Sequence, residues 1–132
     1  MNIPEKYKIK ENEKKPTGLV HSAEKLRQMI LDNPDLPLVV RAGEDANSGD
    51  YSLMMCSSIK CEIVDFLDCN QNYYMEYVFT DRTEFEETIA DSLYLDEPLE
   101  GLTDKEYDEL VDMITAQYEP YWKKCILVTV DN

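Results

Sequence analysis

Between residues 81 and 119 two segments repeat one design. "TEFEETIADSLYL" opens with Thr83 and Glu86 at capping-box spacing and carries Phe85, Ile89 and Leu93 at four-residue steps. "TDKEYDELVDMITAQYE" opens with Thr103 and Glu106 at the same spacing and carries Tyr107, Leu110, Val111, Ile114 and Tyr118 along one side. These spacings predict two amphipathic helices, each with one apolar stripe that must be covered. Pro120 stops the second. Nearly all the charged positions are acidic. Residues 81–119 hold fourteen acidic and two basic residues, a net of −12 within a chain total of −15. Any fold must therefore bury the stripes and leave a large negative charge in water.

The rest of the chain supplies a sheet for these helices to cover. "HSAEKLRQMILDNP" reads as an earlier helix, with Ser22 able to cap it, Ala23, Leu26, Met29 and Ile30 as a narrow stripe, and Asn33–Pro34 ending it. "LPLVVRA" is short and β-branched, so it reads as a strand. "GEDANSGD" is a loop. "YSLMMCSS", "IKCEIVDFLD" and "YYMEYVFT" read as further strands. In the second, Ile59, Cys61 and Ile63 face one way and Lys60 and Glu62 the other. "CILVTV" is almost continuously apolar, as a central strand would be. The expected class is α+β: a mostly antiparallel sheet of about four to five strands covered by about three helices. Residues 1–18 are polar and Lys-rich and include Pro4 and Pro16, so they read as a flexible basic arm ahead of a single α+β domain over 19–132. A chain of this length can bury about two-thirds of its unfolded surface.

Charge and composition narrow the function. A net charge of −15 argues against a basic surface for nucleic acid or an anionic membrane. A basic protein partner suits it, with no direct nucleic-acid or membrane contact. No 18-residue apolar run is present, and "MNIPEKYKIKENEKKP" lacks the apolar stretch of a signal peptide, so a cytoplasmic location is expected. Cys56, Cys61, Cys69 and Cys125 are then reduced thiols.

The residues that could carry chemistry do not assemble into a motif. The single histidine, His21, precedes a helix start and reads as a surface imidazole. The cysteines form no C-x-x-C pair and pack as small hydrophobes. "DANSGD" from Asp45 and "DCNQNY" from Asp68 alternate oxygen ligands but miss the glycine and the twelfth-position acid of a calcium loop. Four glycines leave little room for a phosphate loop. The expectation is a protein that is not an enzyme, with no catalytic residues, no metal and no cofactor. Candidate partner-binding residues are Glu84, Glu87 and Asp91 on the outer side of one helix, Tyr94, Asp96, Glu97 and Glu100 after it, and Asp104, Asp108 and Asp112 on the next. The last three are expected opposite the apolar stripe, at a spacing where like charges cost about 0.2–0.5 kcal/mol per pair. A merely solvated helix face interleaves Lys or Arg, and here only Arg82 and Lys105 appear. Carboxylates spaced on rigid helices can stand in for phosphates in a basic groove; Tyr94 would suit an interface anchor and would equally suit the core.

At "VFTDRTEFEETIADSL" and "YEPYWKKCILVTVDN" the chain resembles small acidic proteins of phages and mobile elements of Gram-positive bacteria. The shared features are a strand ending in Thr-Asp-Arg before a Glu-rich helix, and a Trp-Lys-Lys step into an apolar C-terminal strand. They span about residues 22 to 132. The resemblance implies work in the cytoplasm of a bacterial host cell. Some small acidic proteins of that setting are anti-CRISPR proteins or other inhibitors of defence nucleases, several of which imitate nucleic acid, and the resemblance implies an activity of that kind. The expected function is a non-enzymatic nuclease inhibitor whose partner is a basic protein such as a CRISPR effector. The alternative is an accessory protein-interaction module of a mobile element with no nuclease target.

Overall fold

The computed structural model describes residues 1–43, 46, 53–69, 78–95 and 99–132. Its regular elements are α1 (Glu24–Asp32), β1 (Leu38–Ala42), β2 (Ser58–Asp68), β3 (Val78–Phe79), α2 (Arg82–Tyr94), α3 (Asp104–Tyr118) and β4 (Lys123–Asp131). Among the described residues the strands form one four-stranded sheet in the order β1-β4-β2-β3. The class is α+β, as expected. β4 is internal, and Cys125, Ile126, Leu127 and Val128 within it are buried.

The sheet is mixed rather than mostly antiparallel. β1 runs parallel to β4, with Leu38 opposite Ile126 and Ala42 opposite Val130. β2 and β3 are antiparallel, with Leu67 opposite Phe79. A parallel neighbour needs a long crossover, and here it spans the whole stretch from Ala42 to Lys123. Strand periodicity shows which face is buried, not which way the neighbour runs. The "YSLMMCSS" strand does not form over Leu53–Cys56, and Tyr51 and Ser52 lie outside the described residues. Of "YYMEYVFT", Tyr73–Tyr77 also lie outside them, and Val78–Phe79 is strand. "DANSGD" lies wholly outside the described residues except Ala46, and "DCNQNY" beyond Cys69.

The chain divides into two compact units, residues 1–62 with 126–132 and residues 63–125. In the first, Cys61, Ile126 and Val128 form a small core closed by Leu26, Met29, Leu36 and Val130. Leu26 and Met29 of the predicted α1 stripe reach it, whereas Ile30 stays 45% exposed. The Ser22 hydroxyl accepts the Glu24 N–H at 3.2 Å, one residue ahead of the N-cap position at Ala23. Asn33 ends α1, its side-chain amide donating to the Met29 carbonyl at 3.0 Å. Gly43 donates its N–H to Val130 O at 2.8 Å, and a Cβ there would run into the Asp131 carboxylate. Residues 1–18 form two short 3₁₀ turns, Glu5–Tyr7 and Glu11–Lys14, with every side chain exposed.

The second unit has the larger core. Phe85, Ile89 and Leu93 of α2 and Val111 of α3 are buried with Leu67, Cys69 and Phe79. Tyr107, Leu110, Ile114, Tyr118 and Trp122 pack around them. Phe85 sits at the centre of an aromatic cluster, edge-on to Phe79 and Tyr118 with centroids 5.1 Å apart in each pair, and to Trp122 at 6.1 Å. α3 starts as expected, with the reciprocal Thr103–Glu106 box formed. α2 does not. Its N-cap is Asp81, whose carboxylate accepts the Thr83 N–H at 2.8 Å and the Glu84 N–H at 3.4 Å. Asp81 has the extended backbone a cap requires, and Thr83 lies inside the first turn.

Candidate functional site

The acidic residues are set by how α2 and α3 pack. The two helices run antiparallel: the Tyr107 hydroxyl near the start of α3 donates to the Ala90 carbonyl late in α2, and Asp112 further along α3 lines a groove with Glu86. The chain reverses through Gly101, whose φ of 95° favours glycine. Three recesses follow the seam between the helices. The middle one, ≈ 300 Å³, is lined by Thr83, Glu86, Glu87, Ala90, Asp108, Val111 and Asp112. Toward the start of α2, a recess of ≈ 340 Å³ includes Arg82, Glu86, Asp112 and Glu119. Toward the reversal, one of ≈ 500 Å³ includes Tyr94, Glu100, Asp104 and Tyr107.

Asp108 and Asp112 therefore do not lie opposite the apolar stripe. They flank it, beside buried Val111, and face α2 across the groove. Helical spacing explains this, because Asp108 is one turn from Val111 and from Asp112. The structure brings Glu87, Asp108 and Asp112 into one groove, and Tyr94, Glu100 and Asp104 into another. Glu84 and Asp91 are exposed on α2 and line neither. Asp96 and Glu97 lie outside the described residues. Tyr94 is 81% exposed, so it is not core.

Among the described residues no Lys or Arg pairs with Glu87, Asp91, Glu100, Asp104, Asp108 or Asp112 within 4.0 Å. The two cations within 81–119 are engaged elsewhere. Lys105 reaches Glu109 at 4.0 Å. Arg82 turns to Glu119 and Asp65, with Nη2–Oε1 at 2.9 Å and Nη1–Oδ2 at 2.8 Å, and lies over the Trp122 ring at 4.4 Å. Lys124 completes this cluster by reaching Asp65 at 3.2 Å. Hydrogen bonds from Arg82 and Lys124 hold the Asp65 carboxyl below its ordinary range, and the Glu119 and Asp65 carboxylates push the guanidinium up. Sequence reasoning missed this cluster. The one available signal was Asp65, a carboxylate at the buried-face parity of β2 shared by Cys61, Leu67 and Cys69.

The remaining reactive groups are quiet. Burial, then Asp68 beside Cys69 and Asp65 beside Cys125, push both thiols up, which keeps them protonated at neutral pH. Burial and then the Asp91 and Asp108 carboxylates raise the Tyr107 phenol in the same way. His21 donates Nε2–H to the Cys56 carbonyl at 2.7 Å. Among the described residues no three His, Cys, Asp or Glu side chains come together as a metal site, and no helix is long and apolar enough to cross a membrane. Comparison with protein-family models, with curated proteins and with solved structures gives no match to this chain.

Proposed function

We propose that the chain is a non-enzymatic inhibitor that docks its α2–α3 face into the basic nucleic-acid channel of a defence nuclease such as a CRISPR effector. The observation that carries this reading is the groove shared by Glu87, Asp108 and Asp112, none of them paired with a cation among the described residues. Carboxylates gathered along one groove can stand in for the phosphates of a nucleic-acid strand. The resemblance to acidic phage and mobile-element proteins supports the same reading. So does Tyr94, an exposed ring among acids of the kind that anchors interfaces. Attraction of this kind speeds encounter and weakens as salt shortens the Debye length.

The test is an affinity capture from a bacterial lysate containing several CRISPR effectors, washed at low and at high salt. A nuclease retained at low salt, lost at high salt and displaced by its guide RNA or target DNA is the expected result. Retention that salt and nucleic acid leave unchanged would count against mimicry.

A second reading, an accessory protein-interaction module with no nuclease target, draws on the first unit. There Leu31, Val40, Leu53 and Met55 are exposed, each by more than half. It predicts a partner whose binding barely responds to salt.

A further inference from the structure

The recess near the helix reversal differs in chemistry from its neighbours. Leu93, Leu99 and Leu102 line it together with the Tyr94 and Tyr107 rings, and so do two carboxylates, Glu100 and Asp104. It is the largest of the three described along the seam, at ≈ 500 Å³. Neither carboxylate has a Lys or Arg within 4.0 Å among the described residues, and Tyr94 leaves most of its surface in water.

A partner group that fits must bring positive charge, an apolar stem for the leucines and a surface for an aromatic ring. Lysine meets the first two demands, but its ammonium is compact and strongly hydrated. Arginine meets all three: its guanidinium is planar, weakly hydrated, stacks on aromatic rings and forks onto carboxylates. We propose that this recess receives an arginine side chain of the basic partner, stacked on Tyr94 and held by Glu100 and Asp104. This rests on the docking role of the α2–α3 face. It adds that recognition there reads the kind of cation and not charge alone.

The experiment uses the full chain and two probes of equal charge, a hexa-arginine and a hexa-lysine peptide, titrated at low salt. The arginine peptide should bind about three-fold more tightly than the lysine peptide, the effect of one exposed cation–aromatic contact. Tyr94→Phe should keep that preference and Tyr94→Ala should remove it. Circular dichroism should show both variants folded, because Tyr94 is exposed. Equal binding of the two peptides to the unaltered protein would overturn the proposal, as would a preference that survives Tyr94→Ala. The broader docking role is read separately. Glu87→Gln with Asp108→Asn and Asp112→Asn should weaken both peptides together and leave their ratio intact. If neither peptide binds the unaltered protein, both the docking role and the arginine recess are rejected.

Discussion

The two units differ in charge far more than in size. Residues 63–125 hold seventeen acidic and four basic residues, a net of −13; the rest of the chain holds eleven and nine, a net of −2. The highly charged unit also has the larger core, with seven buried residues against three in the main cluster of the other. The pairing has a physical reason. Close carboxylates repel, and a helix pair that presents them needs burial elsewhere to hold it together. Phe85, Ile89, Leu93 and Val111 of the same two helices supply that burial in one core, and Val111 also lines the acidic groove. The nearly neutral unit carries no such load, and its α1 leaves Ile30 of the apolar stripe and Leu31 beside it exposed.

The sharpest way to break this contrast is to remove the core under the charge. Phe85→Ala should cost about 3–5 kcal/mol, measured by urea denaturation, and should unfold the acidic unit first. Ile126→Val in the other core should cost only about 0.5–1.5 kcal/mol. Next in size is the α3 cap. Thr103→Ala removes the reciprocal box and should lower stability by about 1 kcal/mol. Arg82→Ala breaks the pairs to Asp65 and Glu119. These groups are partly exposed and screened, so the loss should stay at or below about 1 kcal/mol.

The same cluster gives a pH signature. The folded state holds Asp65 below its ordinary value, so the unfolded chain takes up the proton more readily. That contribution is present above about pH 4 and fades as pH falls through the lowered folded value. Asp65→Asn should therefore flatten the acid limb of a stability–pH curve. The smallest effect has the opposite sign. Asp108→Asn relieves repulsion toward Asp104 and Asp112 and should raise stability by about 0.5 kcal/mol in low salt.

The parts legible in the sequence were the local ones. Phe85, Ile89 and Leu93 are spaced by the helix period, and that spacing alone put them inside. The Thr103–Glu106 box was readable because both partners lie within one turn. At α2 two caps competed within two residues, and the extended backbone at Asp81 decided between them. The parallel pairing of β1 with β4 joins segments more than eighty residues apart, and no local pattern encodes it. The Asp65–Arg82–Glu119 cluster is likewise assembled from three elements. Of the ten candidate partner-binding residues, five belong to the middle and reversal recesses besides Glu100: Glu87, Tyr94, Asp104, Asp108 and Asp112. Helix spacing put Glu87, Asp104, Asp108 and Asp112 on the surface and left Tyr94 open between core and interface. Only the packing of α2 on α3 turned that surface into a groove.

The most direct test compares matched charge removals in the two units. One variant carries Glu87→Gln, Asp108→Asn and Asp112→Asn; the other carries Glu11→Gln, Glu24→Gln and Asp32→Asn. Both lose three negative charges, all from exposed side chains. Inhibition of DNA cleavage by a captured CRISPR effector is then titrated with each. A docked acidic face predicts that the first variant loses inhibition and the second keeps it. Equal inhibition by both would contradict that docking and leave the charge as a solubility feature.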